Sequence, residues 1–448
     1  MKKKKFLISL FTILFFVALL FALYPRFYRA NYLFAEDAGV FINDYLHDGL
    51  NIFKPFGGYL VVFARLIAIF VVSVGKIFND FNVLAFTMKG CNVLFVALVA
   101  YYFTTDRFSF LIKSRKCRTL VMALLLIAAC QYVDIILCTI GTHWWGGILV
   151  FFAVLELLNN QLPSKWAIVP IILCILSSPS GLLMGFGILA FIINNIFIKN
   201  KNEKKISFWS VSFIVLMVVV LGLQAFFILF KTDVNSISSG FSIKHLAESL
   251  WYAYQSTIGV VTQVFGVNAA SSFMSLGLGT TIGGIIWVIL AYFAKKEKKL
   301  KYIAVSFVSI FFLYMMVYYK VDRGGVSNYY DFMNGPAKHI WYHFMPFTII
   351  LLSFAVVFVD KIKKENLSLV AIIFIIIALQ FIGGRTPIET KINTDLNQAN
   401  EYLDFNSNNY AIISVAPYAE TQWYTYVHVP VKTDYCSLKK VKCEKYDR

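Results

Sequence analysis

Long apolar runs alternate with short polar segments along most of this chain. A helix needs about 20 apolar residues to cross the hydrocarbon core of a bilayer, which is about 30 Å thick. Of the 448 residues, 59% are hydrophobic and only 15% are charged. We therefore predict an all-α polytopic membrane protein with about eleven transmembrane helices, several of them short, over residues 6–24, 83–103, 119–138, 145–158, 167–177, 182–198, 206–231, 274–294, 302–319, 343–359 and 367–383.

The surplus positive charge lies in alternate segments between these runs. Together those segments carry the whole formal charge of +17, and they are Lys2–Lys5, 104–118, Lys165, 199–205, 295–301 and 360–366. Basic residues resist translocation, so we expect them on the cytoplasmic side of a plasma membrane, with a cytoplasmic N-terminus and an extracytoplasmic C-terminus. The charge thus indicates membrane orientation, and it gives no reason to expect nucleic acid as a partner.

The apolar stretch Gly57–Phe78 has to be an exception to this alternation. If it crossed the membrane, the basic segment 104–118 would lie outside. We predict instead an amphipathic or re-entrant segment on the outer leaflet, with Arg65 and Lys76 reaching the lipid headgroups. The first outer loop then covers residues 25–82.

A polar tail follows the predicted transmembrane domain, which covers residues 1–383. The runs Tyr410–Val415 and Tyr424–Val429 alternate or are β-branched, which favours strands. Residues 384–448 are therefore predicted to form a small extracytoplasmic α/β or β domain. Cys436 and Cys443 lie in this tail, where a disulfide could persist, but their spacing alone leaves the bridge open.

Acidic residues concentrate in the first outer loop. Asp44 and Asp48 are expected on a solvated face of that loop. Glu36 and Asp37 are flanked by apolar residues just beyond a membrane helix, where desolvation can raise the pKa of a carboxylate towards the range of a general base. These two are the candidate catalytic residues.

Cations and aromatic side chains gather in a second outer loop, residues 320–343. Arg or Lys can neutralise a phosphate, and aromatic faces can stack on a sugar ring. An interfacial belt of aromatic and basic residues is the alternative interpretation of this segment. The candidate ligands of a lipid phosphate and its sugar are Arg323, Tyr330, Lys338 and His343.

Further candidates lie close to the outer ends of the helices. Lys89 falls about two turns into an apolar helix, and an intramembrane cation suggests a lipid-phosphate partner, with snorkelling to the interface as the alternative. His143 follows in an outer turn. The segment Ser177–Gly181 interrupts a long apolar run, as helices that line a cavity can do. A further helix at the outer surface is predicted from the one-sided spacing of His245, Glu248, Trp251 and Tyr254.

The chain has one helix, then a long outer loop with the motif Ala35-Glu36-Asp37-Ala38, and then the segment Pro55–Leu60, which continues through Arg65-Leu66. This arrangement resembles that of the GT-C membrane glycosyltransferases. Within that superfamily the chain is most similar to bacterial enzymes that decorate cell-surface glycans from an undecaprenyl-phosphate sugar, such as O-antigen glucosyltransferases. The resemblance implies that Glu36 or Asp37 is the catalytic base or a carboxylate next to a metal. No second acidic pair stands out, so no cofactor is assigned and dependence on a divalent metal stays open.

The resemblance implies an inverting transfer of a hexose from a polyprenyl-phosphate donor to a glycan acceptor at the outer face of the membrane. Two alternatives remain. An outer-leaflet polysaccharide polymerase or ligase would use the loops 232–273 and 320–342 instead. A lipid-linked glycan transporter or flippase would use the interrupted helix and Lys89.

Overall fold

The computed structural model of the protein describes residues 2–24, 37–129, 138–139, 141–195, 208–230, 243–265, 272, 278–320, 343–361, 394–415, 425–432, 435 and 443–445. Its α-helices are α1 (Lys2–Leu23), α2 (Asn43–Asp48), α3 (Val62–Phe78), α4 (Phe81–Thr104), α5 (Arg115–Ala128), α6 (Thr142–Leu158), α7 (Lys165–Ile175), α8 (Met184–Ile193), α9 (Phe208–Phe230), α10 (Ile243–Gly259), α11 (Gly279–Lys296), α12 (Leu300–Lys320), α13 (Phe344–Phe358) and α14 (Thr394–Glu401). A π-helix covers Asp37–Ile42, and 3₁₀ turns cover Pro179–Leu183 and Val260–Phe265.

Five helices in the described part of the chain are long and apolar enough to span a membrane, and they cover Phe6–Leu23, Phe81–Thr104, Phe208–Ile228, Leu300–Tyr318 and Phe344–Lys361. The predicted multi-pass membrane character is therefore supported, while the count of about eleven is not confirmed. Three further apolar helical segments are shorter, at Thr142–Leu158, Lys165–Ile175 and Pro179–Ile193. At 1.5 Å per residue such segments cover less than the ~30 Å of a typical hydrocarbon core. The predicted span 367–383 lies outside the described residues.

Helix α3 covers most of the stretch Gly57–Phe78, where an amphipathic or re-entrant segment was predicted, and its place on the outer leaflet stays a prediction. Its Leu66, Phe70 and Ile77 side chains are exposed, whereas the opposite face is buried. A glycine lets that face approach α4 closely, because a Cβ at Gly75 would lie 2.9 Å from Leu84 Cβ. Arg65 belongs to the buried face and is only 4% exposed. The prediction that Arg65 reaches the lipid headgroups is therefore wrong.

Polar contacts at one end of the bundle join predicted cytoplasmic segments to one another and to the helix ends beside them. Lys299 Nζ donates to the carbonyls of Leu111 and Val356, at 2.8 and 2.7 Å. Tyr302 Oη donates to Asn159 Oδ1 at 3.2 Å. At the same end, Glu156 is fully buried and accepts hydrogen bonds from Tyr102 Oη and Arg107 Nε.

Contacts at the other end link the predicted first outer loop to residues of the predicted spans 167–177 and 206–231. The Val62 amide donates to the Leu176 carbonyl at 3.1 Å, and the Phe63 amide donates to Ser177 Oγ at 2.7 Å. The Leu60 amide donates to Gln224 Oε1 at 3.3 Å. The predicted grouping of the loops therefore agrees with the contacts, while the side that faces the cytoplasm stays a prediction.

The predicted strands of the tail are confirmed. Strands β1 (Asn409–Val415), β2 (Thr425–Pro430) and β3 (Cys443–Lys445) form an antiparallel sheet in the order β2-β1-β3. Cys443 is disulfide-bonded, and Cys436, with which a bridge was left open, lies outside the described residues. Helix α14 ties the tail to the start of α4, because Asn400 Oδ1 accepts from the Phe81 amide at 2.6 Å.

We expect the buried Glu156 to stabilise the end of the bundle where it lies. Glu156→Ala removes the acceptor of the buried Tyr102 hydroxyl and of Arg107, whose side chain is 33% exposed, and the loss of hydrogen bonds to a charged group costs about 1.5–3 kcal/mol. Denaturant unfolding of the purified protein in detergent measures the change. Glu297→Ala is the matched control, because Glu297 pairs with Lys361 and both side chains are 35% exposed, so a loss of at most about 1 kcal/mol is expected. Equal effects of the two substitutions would contradict the prediction.

Candidate functional site

Asp37 is held rigidly at the start of the π-helix. The residue is only 4% exposed. The Thr139 amide donates to both oxygens of its carboxylate, at 2.8 Å to Oδ1 and 3.0 Å to Oδ2. A buried carboxylate needs such partners, because burial of an unpaired charge costs several kcal/mol. The candidate catalytic base predicted from sequence is therefore a buried carboxylate that a backbone amide holds in place.

Lys89 provides the opposite charge. It lies within α4, one of the spanning helices, yet it is only 3% exposed. Cys138 and Asp37 both interact with it electrostatically. A snorkelling lysine would keep its ammonium group in water, so the snorkelling alternative for Lys89 is wrong. The structure instead brings an intramembrane cation together with the acidic motif of the first outer loop.

Asn92 joins the same group, although no motif marked it in the sequence. It lies three residues after Lys89, and residues at this spacing share one face of a helix. Asn92 is 1% exposed, and its Nδ2 donates to Thr139 Oγ1 at 3.1 Å. Its Oδ1 is buried and has no hydrogen-bond partner among the described residues. We call Asp37, Lys89, Asn92, Cys138 and Thr139 the Asp37 cluster.

The turn that supplies Thr139 leads directly into α6. Thr142 Oγ1 donates to the Thr139 carbonyl at 2.6 Å. His143, in the first turn of α6, is 8% exposed, and its ring lies 4.4 Å from that of Trp144. His143 is therefore packed beside the turn that holds Asp37. Its predicted role as a phosphate ligand stays a prediction.

His343 lies at the same end of the bundle, where α13 begins. It is fully buried, and its Nδ1 is 2.6 Å from Tyr314 Oη of α12. The neighbouring Phe344 ring is 5.0 Å from that of Trp145 in α6. Burial and a hydroxyl partner agree with a packing role for His343 and also with a role in a ligand site. Its predicted role as a phosphate ligand stays a prediction.

The predicted interruption at Ser177–Gly181 is confirmed as the break between α7 and α8. Ser178 Oγ and Ser180 Oγ are 2.7 Å apart. Gly147 of α6 faces this break, since a Cβ added there would lie 2.5 Å from both Ser180 Oγ and Met345 Sδ. Three segments therefore meet at Gly147: α6, α13 and the interrupted helix.

Arg65 belongs to an ion-pair network in the first outer loop. Its Nη1 donates to Asp44 Oδ2 at 2.9 Å, and its Nε donates to the Lys54 carbonyl at 2.7 Å. Lys54 also bonds Asp44 and Asp48. Burial lowers the pKa of Lys54, but the two carboxylates outweigh this and raise it above its ordinary value. The expectation of a merely solvated face is therefore wrong for Asp44, and Arg65 is committed to protein groups.

A groove of about 620 Å³ lies between α10 and α11. Its walls are largely apolar, with Ile258, Ile285 and Val288 among the lining residues. Trp251 and Tyr254 also line it, and their rings stack at 6.0 Å on the exposed face of α10. The opposite face of α10 packs on α12, where Ser256 Oγ is 2.7 Å from Tyr318 Oη. The predicted helix is thus confirmed, and it lines a groove that suits an apolar chain.

The remaining candidates from the sequence are Glu36, Arg323, Tyr330 and Lys338, and they lie outside the described residues. Within the described ranges, no group of three or more His, Cys, Asp or Glu residues could hold a metal ion. No protein-family model, curated protein or solved structure matches the chain. The resemblance to the GT-C superfamily therefore stays a prediction that rests on the residues quoted for it.

We expect the Asp37 and Lys89 charges to stabilise each other. Lys89→Met leaves a buried carboxylate without its cation, and Asp37→Asn leaves a buried cation without its carboxylate, so each single substitution destabilises the fold. The double variant removes both charges. A double-mutant cycle of unfolding free energies in detergent is expected to give a coupling of about 1–3 kcal/mol.

The same cycle between Lys89→Met and Asp48→Asn is the control, because Asp48 pairs with Lys54 and its side chain is 45% exposed. Additivity within about 0.5 kcal/mol is expected for that distant pair. Additivity in the Asp37 and Lys89 cycle as well would contradict the interaction.

Proposed function

We propose that this chain is a membrane glycosyltransferase. It would move a hexose from an undecaprenyl-phosphate donor to a cell-surface glycan at the outer face of the plasma membrane. The observation that carries the proposal is the buried Asp37, from the acidic motif of the first outer loop, beside the intramembrane Lys89. A carboxylate and a cation in one dry site suit a reaction that moves a proton and releases a phosphate.

In the proposed reaction Asp37 accepts the proton of an acceptor hydroxyl. The hydroxyl oxygen forms a bond to the anomeric carbon of the hexose, and the bond from that carbon to the phosphate oxygen breaks. The phosphate leaves with the electron pair of the broken bond. A single displacement of this kind inverts the anomeric centre, and it fits one acidic group better than two.

The charges within the site balance during this step. Before transfer, Lys89 compensates the Asp37 carboxylate. Proton transfer neutralises Asp37 just as negative charge grows on the departing phosphate, so Lys89 becomes available to that phosphate. Electrostatic stabilisation of developing charge is often the largest single contribution to catalysis. Arg323, Lys338, Tyr330 and His343 are proposed to complete the phosphate and sugar site.

The groove between α10 and α11 is proposed to hold the polyprenyl chain of the donor. Its apolar walls suit isoprene units, and Thr280 and Thr281 supply polar groups where α11 begins. We also propose about eleven spans, with a cytoplasmic N-terminus and an extracytoplasmic tail. The polar contacts fall into two groups, one at each end of the bundle. This supports the proposed topology, because the contacts include the ends of the shorter helices α6 and α7.

Sugar transfer by the purified protein from a synthetic polyprenyl-phosphate hexose tests the proposal. Asp37→Asn keeps an oxygen that can accept from the Thr139 amide but removes the base, so we expect kcat to fall by about 10²–10⁴-fold. The kcat of Lys89→Met is expected to fall by a similar factor. Asp48→Asn, at an exposed residue of the same loop, is expected to keep its activity. Assays with and without a chelator measure dependence on a divalent metal.

Full activity in Asp37→Asn would overturn the role of that residue. A donor that binds but is never consumed, with any glycan acceptor tried, would overturn the transferase. In that case the second candidate is a transporter of lipid-linked glycans, which the confirmed break at Ser177–Gly181 favours, since broken helices often surround transport sites. Movement of a fluorescent polyprenyl-phosphate sugar across vesicles that contain the protein would establish that alternative.

A further inference from the structure

The polar tail lies against the segment that carries Asp37. Asn43, just after the π-helix, is 8% exposed. Its Oδ1 accepts from the His428 amide at 2.9 Å, and its Nδ2 donates to the Tyr426 carbonyl at 2.9 Å. Both partners belong to strand β2. The side-chain amide of Asn43 therefore pairs with the strand as the backbone of a neighbouring strand would.

The same side chain also holds the π-helix. Asn43 Nδ2 donates to the Gly39 carbonyl at 3.3 Å, and Gly39 lies two residues after Asp37. An asparagine amide offers two donor hydrogens and one acceptor oxygen. The three partners therefore use the carboxamide fully, and they join the tail to the turn that places Asp37.

Among the described strands, β2 is at an edge of the sheet, so its outward backbone groups need a partner. Asn43 meets that need at two of them. A second contact lies beside it, because His47 Nε2 is 2.8 Å from His428 Nδ1, and the His47 ring is 4.8 Å from that of Tyr410 in β1. The contact between tail and loop is thus specific in hydrogen bonding and in packing.

We propose that the C-terminal sheet is a positioning element for Asp37, and that Asn43 is the positioning residue through which it acts. The sheet holds the π-helix from outside while Thr139 holds the Asp37 carboxylate from inside. Displacement of a reacting group by about 1 Å can cost 10²-fold in rate. The inference rests on the proposed role of Asp37 as the base, and it assigns the tail a part in the reaction.

Two measurements on the full chain in detergent test this inference. In Asn43→Ala we expect the amides of residues 37–43 to exchange hydrogen at least about tenfold faster, since the side-chain hydrogen bonds that join the π-helix to strand β2 are lost. We expect kcat for sugar transfer to fall about tenfold or more while the KM for the donor stays unchanged. A purely structural role of Asn43 would lower the yield of folded protein and leave kcat per folded molecule as it is.

Asn43→Asp and Asn51→Ala complete the design. Asn43→Asp keeps the acceptor for the His428 amide but loses both donated hydrogen bonds, so its exchange rate is expected between those of wild type and Asn43→Ala. Asn51 is an exposed residue of the same loop, and Asn51→Ala is expected to match wild type. Should Asn43→Ala fail to fold, Asn43→Asp carries the test, with faster exchange than in wild type expected over the same residues.

The outcomes separate this inference from the proposed function. If residues 37–43 exchange at the wild-type rate in a folded Asn43→Ala variant, Asn43 does not hold the π-helix and the inference is overturned. Faster exchange with no drop in kcat would restrict the sheet to a structural role and overturn its part in the reaction. Faster exchange in a protein whose wild type transfers no sugar would retain the contact and reject the transferase.

Discussion

The burial of Asp37 next to Lys89 is the interaction on which the outer half of the structure depends. A buried charge is costly without polar partners, so Asp37 depends on the Thr139 amide and on its electrostatic interaction with Lys89. These interactions place Asp37 against α4 and against the turn before α6. Asn92 and Thr139 belong to the same cluster, and Thr139 supplies the amide that bonds the Asp37 carboxylate.

The membrane imposes the second constraint. Backbone and side-chain polar groups need internal partners wherever lipid surrounds them, and the structure collects them at the two ends of the bundle. At one end Lys299, Tyr302 and Glu156 join loops to helix ends. At the other end, Gln224 and Ser177 accept from the backbone around the start of α3. The two ends differ in character: one holds surplus cations, and the other holds the paired Asp37 cluster.

Sequence patterns predicted features that depend on neighbours along the chain. The apolar runs predicted helices, the amphipathic face predicted α3, and the alternation in the tail predicted strands β1 and β2. Residue type alone also singled out Asp37 and Lys89. The apolar pattern of α3 gave a wrong prediction for Arg65. Its guanidinium was expected to point towards the lipid headgroups, but Asp44 offers a carboxylate partner on the buried side of the helix.

Asn43, Asn92 and Thr139 show why the rest could not be predicted. Each is a common polar residue without a motif, and each acquires its role from a partner distant in the chain; the Asn43 bond to Tyr426 spans 383 residues. Folding brings strand β2 next to the first outer loop, and only there can the Asn43 side chain bond to both the strand and the π-helix. Because the acidic motif is held from one side by the membrane bundle and from the other by the tail, its geometry belongs to the whole chain rather than to the loop that carries it.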